Sequence, residues 1–311
     1  MRIGFQTADF EALAKLWNDF YPSEFRIDAE ILRQNTVGSP VFDWGASQIA
    51  VMDDRILGFV AVKQSADKLY GKAPTDTAHV SALAFTEVDA GIDFLADVKS
   101  LLRHRGIQTL TYGADSRHFF PGCPNGAQGL CSFLMVEGFE DGAECYDVER
   151  DLQSYASPKE APEGITFRSL EPNESQVLDA LISSEFSGRW RYDVLEKVQV
   201  EGPGCVYVVE NNGQLIGFAL IQDWTNRQPI GGGVWRNSLG ENWGSLGPIG
   251  VAAAHRGKGI GDGLLSAALL ELKGRGVKRC IIDWTVLKDF YGRHGFEVTR
   301  TYQAKTLRLS D

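Results

Sequence analysis

Residues 249–269 constrain the fold more than any other stretch of this chain. The apolar run Ile249-Gly250-Val251 leads into His255-Arg256-Gly257-Lys258-Gly259-Ile260-Gly261, and then into Leu264, Leu265, Ala267, Ala268 and Leu269. That order reads as a strand, a glycine-rich turn and an amphipathic helix. The first turn of a helix leaves backbone N–H groups without partners, and the helix dipole places roughly half a positive charge beside them. Glycines at 257, 259 and 261 keep Cβ atoms out of the way of an approaching anion and permit positive φ, while Arg256 and Lys258 add cationic donors. The turn is therefore a candidate phosphate socket. It is not a Walker A loop, whose Gly-x-x-x-x-Gly-Lys-Ser/Thr spacing is missing. Nor is it a dinucleotide fingerprint, because Asp262 and Leu264 stand where the last glycine of G-x-G-x-x-G is required.

The segment resembles the acyl-CoA signature of the GNAT superfamily of N-acyltransferases, Arg/Gln-x-x-Gly-x-Gly/Ala, through Arg256, Gly259 and Gly261. Val251, two residues after Ile249, falls where that family has the strand residue whose backbone meets the pantetheine arm. Downstream, Phe290-Tyr291-Gly292-Arg293-His294-Gly295-Phe296 resembles the family's (Leu/Phe)-Tyr-x-x-x-Gly-Phe, whose tyrosine stands beside the CoA sulfur. The resemblance implies an α/β fold with a mixed, mainly antiparallel twisted sheet flanked by helices. It also implies acetyl-CoA as cosubstrate, held by Ile249, Val251 and Arg256 through Gly261 (Gly257, Lys258, Gly259 and Ile260 included), and transfer of its acetyl group by direct attack of an amine. In that chemistry the Val251 N–H polarises the thioester carbonyl and Tyr291 is the general acid for the departing thiolate. The chain departs from the family pattern at Trp284, where Asn is frequent, and at Leu287, where a small residue is frequent.

At 311 residues, two domains are expected. The run Ala156 to Gly164 is polar, carries Pro158 and Pro162, and reads as a linker. The first half echoes the second: Gln48 to Val60 parallels Val206 to Ala219, Gly106-Ile107 parallels Gly276-Val277, and Glu137-Gly138-Phe139 parallels His294-Gly295-Phe296. We read tandem GNAT-like domains, 1–153 and 165–311, joined by a linker over 154–164. Aligned without gaps on Gly106 and Gly276, Thr86 falls at Arg256, Asp89 at Gly259 and Gly91 at Gly261. By the Gly-Phe anchor, Leu134 falls at Tyr291. An acidic turn repels phosphates and leucine donates no proton, so the first copy is expected to bind no CoA. Gly106 to Phe133 spans 27 positions and Gly276 to Phe290 spans 14, which marks an insertion around Ser116 to Pro124.

The net charge of −10 disfavours nucleic acid and is compatible with a cationic acceptor. No apolar run approaches the roughly 20 residues of a membrane span. The amino terminus lacks signal-peptide zoning, and five cysteines without a C-x-x-C pair read as cytoplasmic thiols. Five scattered histidines give no metal-ligand spacing, so no metal is expected. The acceptor side is the open part. Asp223, Glu241 and Asp283 are candidate bases; Trp243 and the Gly231-Gly232-Gly233 connection are candidate pocket or lid; Arg117 and His118 on the insertion are further candidates; His255 and His294 read as surface neighbours. Alternatives are a CoA-binding sensor without acceptor chemistry, another acyl group, or a hydroxyl acceptor. Oligomeric state is not encoded in any of these features.

Overall fold

A computed structural model describes residues 1–64, 76–156, 163–186 and 188–309. The chain divides into two compact units. Among the described residues the first comprises 1–64, 76–145 and 300–309, and the second comprises 146–156, 163–186 and 188–299.

Among the described residues thirteen strands follow in order. They are β1 Arg2–Ile3, β2 Gln48–Met52, β3 Arg55–Gln64, β4 Thr77–Phe85, β5 Thr109–Tyr112, β6 Cys123–Pro124, β7 Glu140–Asp151, β8 Ile165–Ser169, β9 Val206–Asn211, β10 Gln214–Asp223, β11 Trp243–Val251, β12 Arg279–Thr285 and β13 Glu297–Arg308. In the second unit β8 to β11 are antiparallel neighbours, β11 to β12 is parallel, and β12 pairs antiparallel with residues 146–151 of β7. In the first unit β1 to β4 are antiparallel, β4 to β5 is parallel, and β5 pairs antiparallel with residues 305–308 of β13. The two units share one topology. Each takes its last strand from the opposite half of the sequence, so the compact units differ from the simple succession 1–153 and 165–311. The physical reason is that strand pairing is non-local, so the sheet that β7 and β13 join is set by partners far along the chain.

Local signals behave as their chemistry dictates. The β9–β10 hairpin turns on Asn212 and Gly213, both at positive φ (51° and 81°), and β2–β3 turns on Asp53 and Asp54 (48° and 60°); both pairs suit a two-residue hairpin loop that matches strand twist. The helices Val88–His104 and Ile260–Gly274 end alike. Gly106 and Gly276 adopt positive φ, while Ile107 N–H donates to Leu102 and Val277 N–H donates to Leu272.

The second unit's core lies on both faces of its sheet. Leu264, Leu265, Ala268, Leu269 and Leu272 of one helix pack on Val209, Ala219, Ile221 and Leu246. On the other face Leu178, Ile182 and Val194, from helices Ser175–Glu185 and Arg189–Glu201, meet Val208, Phe218 and Leu220. The period-2 alternation of β9 and β10 assigns neighbouring residues to opposite layers.

In the first unit the insertion is a packed element. Phe120 stacks on Trp17 at 5.3 Å between centroids, and Phe119 lies 4.8 Å from the same ring. The Lys63 ammonium is buried and bonds Asp115 (2.6 Å) and the carbonyls of Ser116 and Arg117. Tyr21 and Tyr112 share a buried 2.7 Å hydroxyl contact, and burial raises both phenols above the ordinary value of 10.0. A raised folded pKa means the folded state holds its proton more tightly. This stabilisation is complete below pH 10 and is lost as pH rises through the folded values. The thermal midpoint measured against pH should therefore be flat to about pH 9 and fall above about pH 10. Phenolate absorbance should appear together with unfolding, not before it.

Candidate active site

The parallel pairing of β11 with β12 runs only from Trp243–Arg279 to Ser245–Ile281, and beyond it the two strands part. On the other edge, β11 stays paired to β10 as far as Val251–Gly217. The Ala252 N–H donates to Ile216, so by antiparallel alternation the N–H and C=O of Val251 and of Ile249 point away from β10, towards the gap. The Val251 carbonyl confirms that direction, since it accepts from Nε of Arg256 at 2.8 Å.

The turn after β11 is built to leave its backbone uncovered. Gly257 and Gly259 have φ of 76° and 78°, and a Cβ at either would meet nothing within 4 Å. Gly259 caps Ile260–Gly274 and brings no side chain to bond the N–H groups of the first turn. At Gly261 an added Cβ would touch only the Phe290 ring, at 4.0 Å. These features meet in one cleft of about 690 Å³, whose lining includes Ile249, Val251, Arg256, Gly257, Gly259 and Gly261 on one side and Leu287, Phe290 and Tyr291 on another. Lys258 and Ile260 are not part of the lining. The Lys258 ammonium reaches the Ala254 carbonyl at 3.3 Å, and Ile260 is buried in the helix core.

Tyr291 sits on the short helix Lys288–Gly292 and is buried. Burial pushes its phenol well above the ordinary value, the nearby Asp283 carboxylate adds to the rise, and a hydrogen bond with Thr285 opposes it. The group is thus a neutral phenol across the physiological range. Asp283 stands two residues beyond the last β12 residue paired to β11 and is half-buried.

The other acceptor-side candidates lie elsewhere. Asp223 pairs with Gly244 at the opposite end of β11, caps Thr225 and faces Arg275 at 3.4 Å. Glu241 is exposed in the turn before that end, and Trp243 is buried against Gly233. The Gly231–Trp235 segment is a buried 3₁₀ turn and not a lid. An added Cβ at Gly232 would strike Ile281 and one at Gly231 would strike Asp283, so these glycines let the backbone press on β12. Arg117 and His118 are buried in the first unit, where Nη1 of Arg117 donates to the carbonyls of Gln34 and Gly38.

Three features escaped the sequence reading. Phe186 and Trp190 line the cleft, stacked at 5.5 Å, and Gly250 is glycine because a Cβ there would lie 2.4 Å from the Phe186 ring. No local pattern marks a helix residue as a wall for a distant strand. His294 is buried and not a surface neighbour. Its Nε2 lies 3.2 Å from Asp262 and its Nδ1 lies 3.0 Å from the Tyr155 hydroxyl. A carboxylate only accepts, so Nε2 carries the hydrogen and Nδ1 accepts from Tyr155. Burial lowers the His294 pKa and the Asp262 charge partly restores it. With Arg293 at 3.3 Å, this network holds the one acidic group of the helix's first turn and offsets its charge. Third, the first unit's counterpart turn is far shorter. Phe85 pairs with Gly58 as Val251 pairs with Gly217, and only Thr86 and Glu87 separate β4 from the next helix, where Ala252 to Gly259 separate β11 from its own. The gapless alignment holds along the helix and fails in the turn.

The Acetyltransferase (GNAT) family profile matches residues 175–296. No curated protein matches the chain. Among solved structures, the chain is similar to the GCN5-related glucosamine N-acetyltransferase region of a fungal multi-domain GH3 β-N-acetylglucosaminidase, with a TM-score of 0.85 and 22% identity over 99% of this chain. It spans 38% of that protein's length. It is also similar to a GCN5-related N-acetyltransferase from Sphaerobacter thermophilus (TM-score 0.74, 16% identity, 100% of this chain and 96% of that one). A third is a tandem GNAT protein from the clavulanic acid biosynthesis pathway (TM-score 0.69, 17% identity, 100% and 99%). At these identities the likeness speaks for the fold. Residues 175–296 thus match the acetyltransferase (GNAT) family profile, and the chain as a whole shares the fold of these solved GNAT structures.

Proposed function

We propose that the second unit transfers an acetyl group from acetyl-CoA to the amino group of a small acceptor, with one working site per chain. The observation that carries this reading is the meeting, in a single cleft, of an uncapped glycine turn, strand backbone facing a gap, and a buried phenol. Acetyl-CoA supplies an activated thioester and a thiol leaving group. The N–H groups at 260 and 261 and the guanidiniums of Arg256 and Arg293 receive its phosphates. The Val251 N–H donates to the carbonyl oxygen as negative charge gathers there. Tyr291 holds its proton until the C–S bond breaks and then delivers it to sulfur. As the C–N bond forms, Asp283 takes the proton that the amine loses, and the phenol recovers one through solvent. Asp283 is preferred over Asp223 and Glu241 because its charge is felt at Tyr291, whereas the other two lie towards the far end of β11.

A net charge of −10 supports a cationic acceptor, and the absence of a disulfide among the five cysteines supports a cytoplasmic setting. Among the described residues no helix is long and apolar enough to cross a membrane, and no group of His, Cys, Asp and Glu is arranged to hold a metal. The test is release of free thiol from acetyl-CoA with a panel running from glucosamine to aminoglycosides and simple diamines. Release should depend on added amine. Asp283→Asn should lower kcat by about tenfold or more and steepen the dependence on pH, since the amine must then lose its proton to bulk base. Tight CoA binding without release from any amine would leave a sensor as the better reading, and release with alcohols alone would make the acceptor a hydroxyl.

A further inference from the structure

Two of the five cysteines meet in the first unit. Cys123 opens β6, whose residues pair with Gln303 and Tyr302 of β13, so the ladder fixes its backbone. Cys131 lies on the helix Gln128–Val136, where its N–H donates to Ala127. The Ala127 N–H donates in turn to the Pro124 carbonyl, closing the turn that brings the helix back to β6. On that same carbonyl the side chains converge: the Cys131 thiol donates to it at 3.5 Å, and the Cys123 sulfur lies 4.0 Å from it. The Cys123 thiol donates to the Cys131 sulfur. Seven residues separate the two in sequence, so no C-x-x-C spacing marks them.

Their surroundings give the two thiols different characters. Cys123 is fully buried, whereas Cys131 is only half-buried. The hydrogen bond from Cys123 lowers the Cys131 thiol below its ordinary value of 9.0; burial opposes this and the Lys305 ammonium assists it. Cys123 holds its proton more tightly, through that same bond and through burial. Cys205 and Cys280 are buried thiols, and burial raises both. A reactive cysteine needs thiolate character and access, and a neighbouring thiol to resolve what it forms. Cys131 has the first two, and Cys123 stands where the third must be.

We propose that Cys123 and Cys131 form a reversible disulfide site, oxidised by a low-molecular-weight disulfide such as oxidised glutathione and reduced again by thiols. The Cys131 thiolate attacks one sulfur of the reagent; its S–S bond breaks, one glutathione leaves as thiolate, and Cys131 carries the other. Cys123 then gives up its proton and attacks the Cys131 sulfur, expelling the second glutathione as thiolate. The two protons lost by the cysteines end on the two glutathione thiols. Two electrons pass from the protein to the reagent, and the new bond ties β6 to the helix.

The native full chain can be incubated with oxidised glutathione at neutral pH, quenched in acid, unfolded with N-ethylmaleimide and cut with chymotrypsin, whose sites at Leu130 and Phe133 separate the two cysteines. Mass spectrometry should find the peptides of Cys123 and Cys131 joined, and excess dithiothreitol should release them. Cys123→Ala should stop at a glutathione adduct on Cys131 with an unchanged circular dichroism spectrum. Cys131→Ser should leave Cys123 without an adduct. A measurement on the unaltered chain needs no variant to fold: iodoacetamide should alkylate Cys131 at least about tenfold faster than Cys205 or Cys280. The proposal is overturned if the unaltered chain stops at the Cys131 adduct, if both thiols still take N-ethylmaleimide after oxidation, or if Cys131 reacts no faster than the other two.

Discussion

Tyr291→Phe is expected to lower kcat for acetyl transfer by about 10²–10⁴-fold while changing the Kd for coenzyme A by less than about threefold. The split between the two constants is what makes the result informative. The phenol lines the cleft as a buried neutral group, bonded to Thr285 and close to the Asp283 charge. Removing only its oxygen leaves the ring packed near Phe296, at 6.1 Å between centroids, so the cleft keeps its shape. The loss then falls on the step in which sulfur acquires a proton. The pH profile carries the same information with a definite sign. Because burial and Asp283 raise the phenol above 10.0, the limb on which Tyr291 loses its proton lies above pH 10, and activity should not decline between neutrality and that value. A steep fall near pH 8 would assign the acid role to another group.

Gly261→Val is expected to raise the Kd for coenzyme A by about 100-fold or more without destabilising the chain. At this position an added Cβ meets only the Phe290 ring, at 4.0 Å, so the backbone tolerates a side chain that projects into the cleft. The same space is where an anion must lie to reach the N–H groups of the helix start. Two charge-assisted hydrogen bonds lost, at about 1.5–3 kcal/mol each, account for a factor of that size. Gly257 and Gly259 are poorer test sites, because their positive φ would add backbone strain to any substitution. Valine in place of glycine in a helix also favours the folded state slightly, so the thermal midpoint should hold or rise.

Much of this architecture is legible in the sequence wherever it is set by local chemistry. The hairpin at Asn212-Gly213, the strand entering at Trp243 and the helix after Gly259 all follow from residues a few positions apart. The internal repeat is equally local in origin. Phe139 N–H donates to Leu134 as Phe296 N–H donates to Tyr291, so the leucine stands in the tyrosine's place in the hydrogen-bond pattern as well as in the alignment. What the sequence does not reveal depends on partners far along the chain. Neither β7 nor β13 carries a mark of the sheet it will join. Trp190 becomes a cleft wall through the packing of its helix, and Gly231 to Gly233 become buried turn instead of lid because β12 presses on them. His294 looks exposed beside two glycines, yet Tyr155, more than a hundred residues away, closes over it. The shortened turn of the first unit was masked by the good match of the helices that follow.

That shortened turn matters most for the central claim, that only one of the two repeated units holds coenzyme A. With two residues in place of eight, Phe85 over Gly91, and Leu134 in the tyrosine's place, the first unit lacks the glycine turn and the phenol that the second unit brings to its cleft. The direct test is calorimetric titration of the intact chain with acetyl-CoA, in parallel with Gly261→Val. One molecule bound per chain, and loss of that binding in Gly261→Val, is the predicted result. Two molecules per chain, or one that binds Gly261→Val as tightly as the unaltered protein, would contradict it.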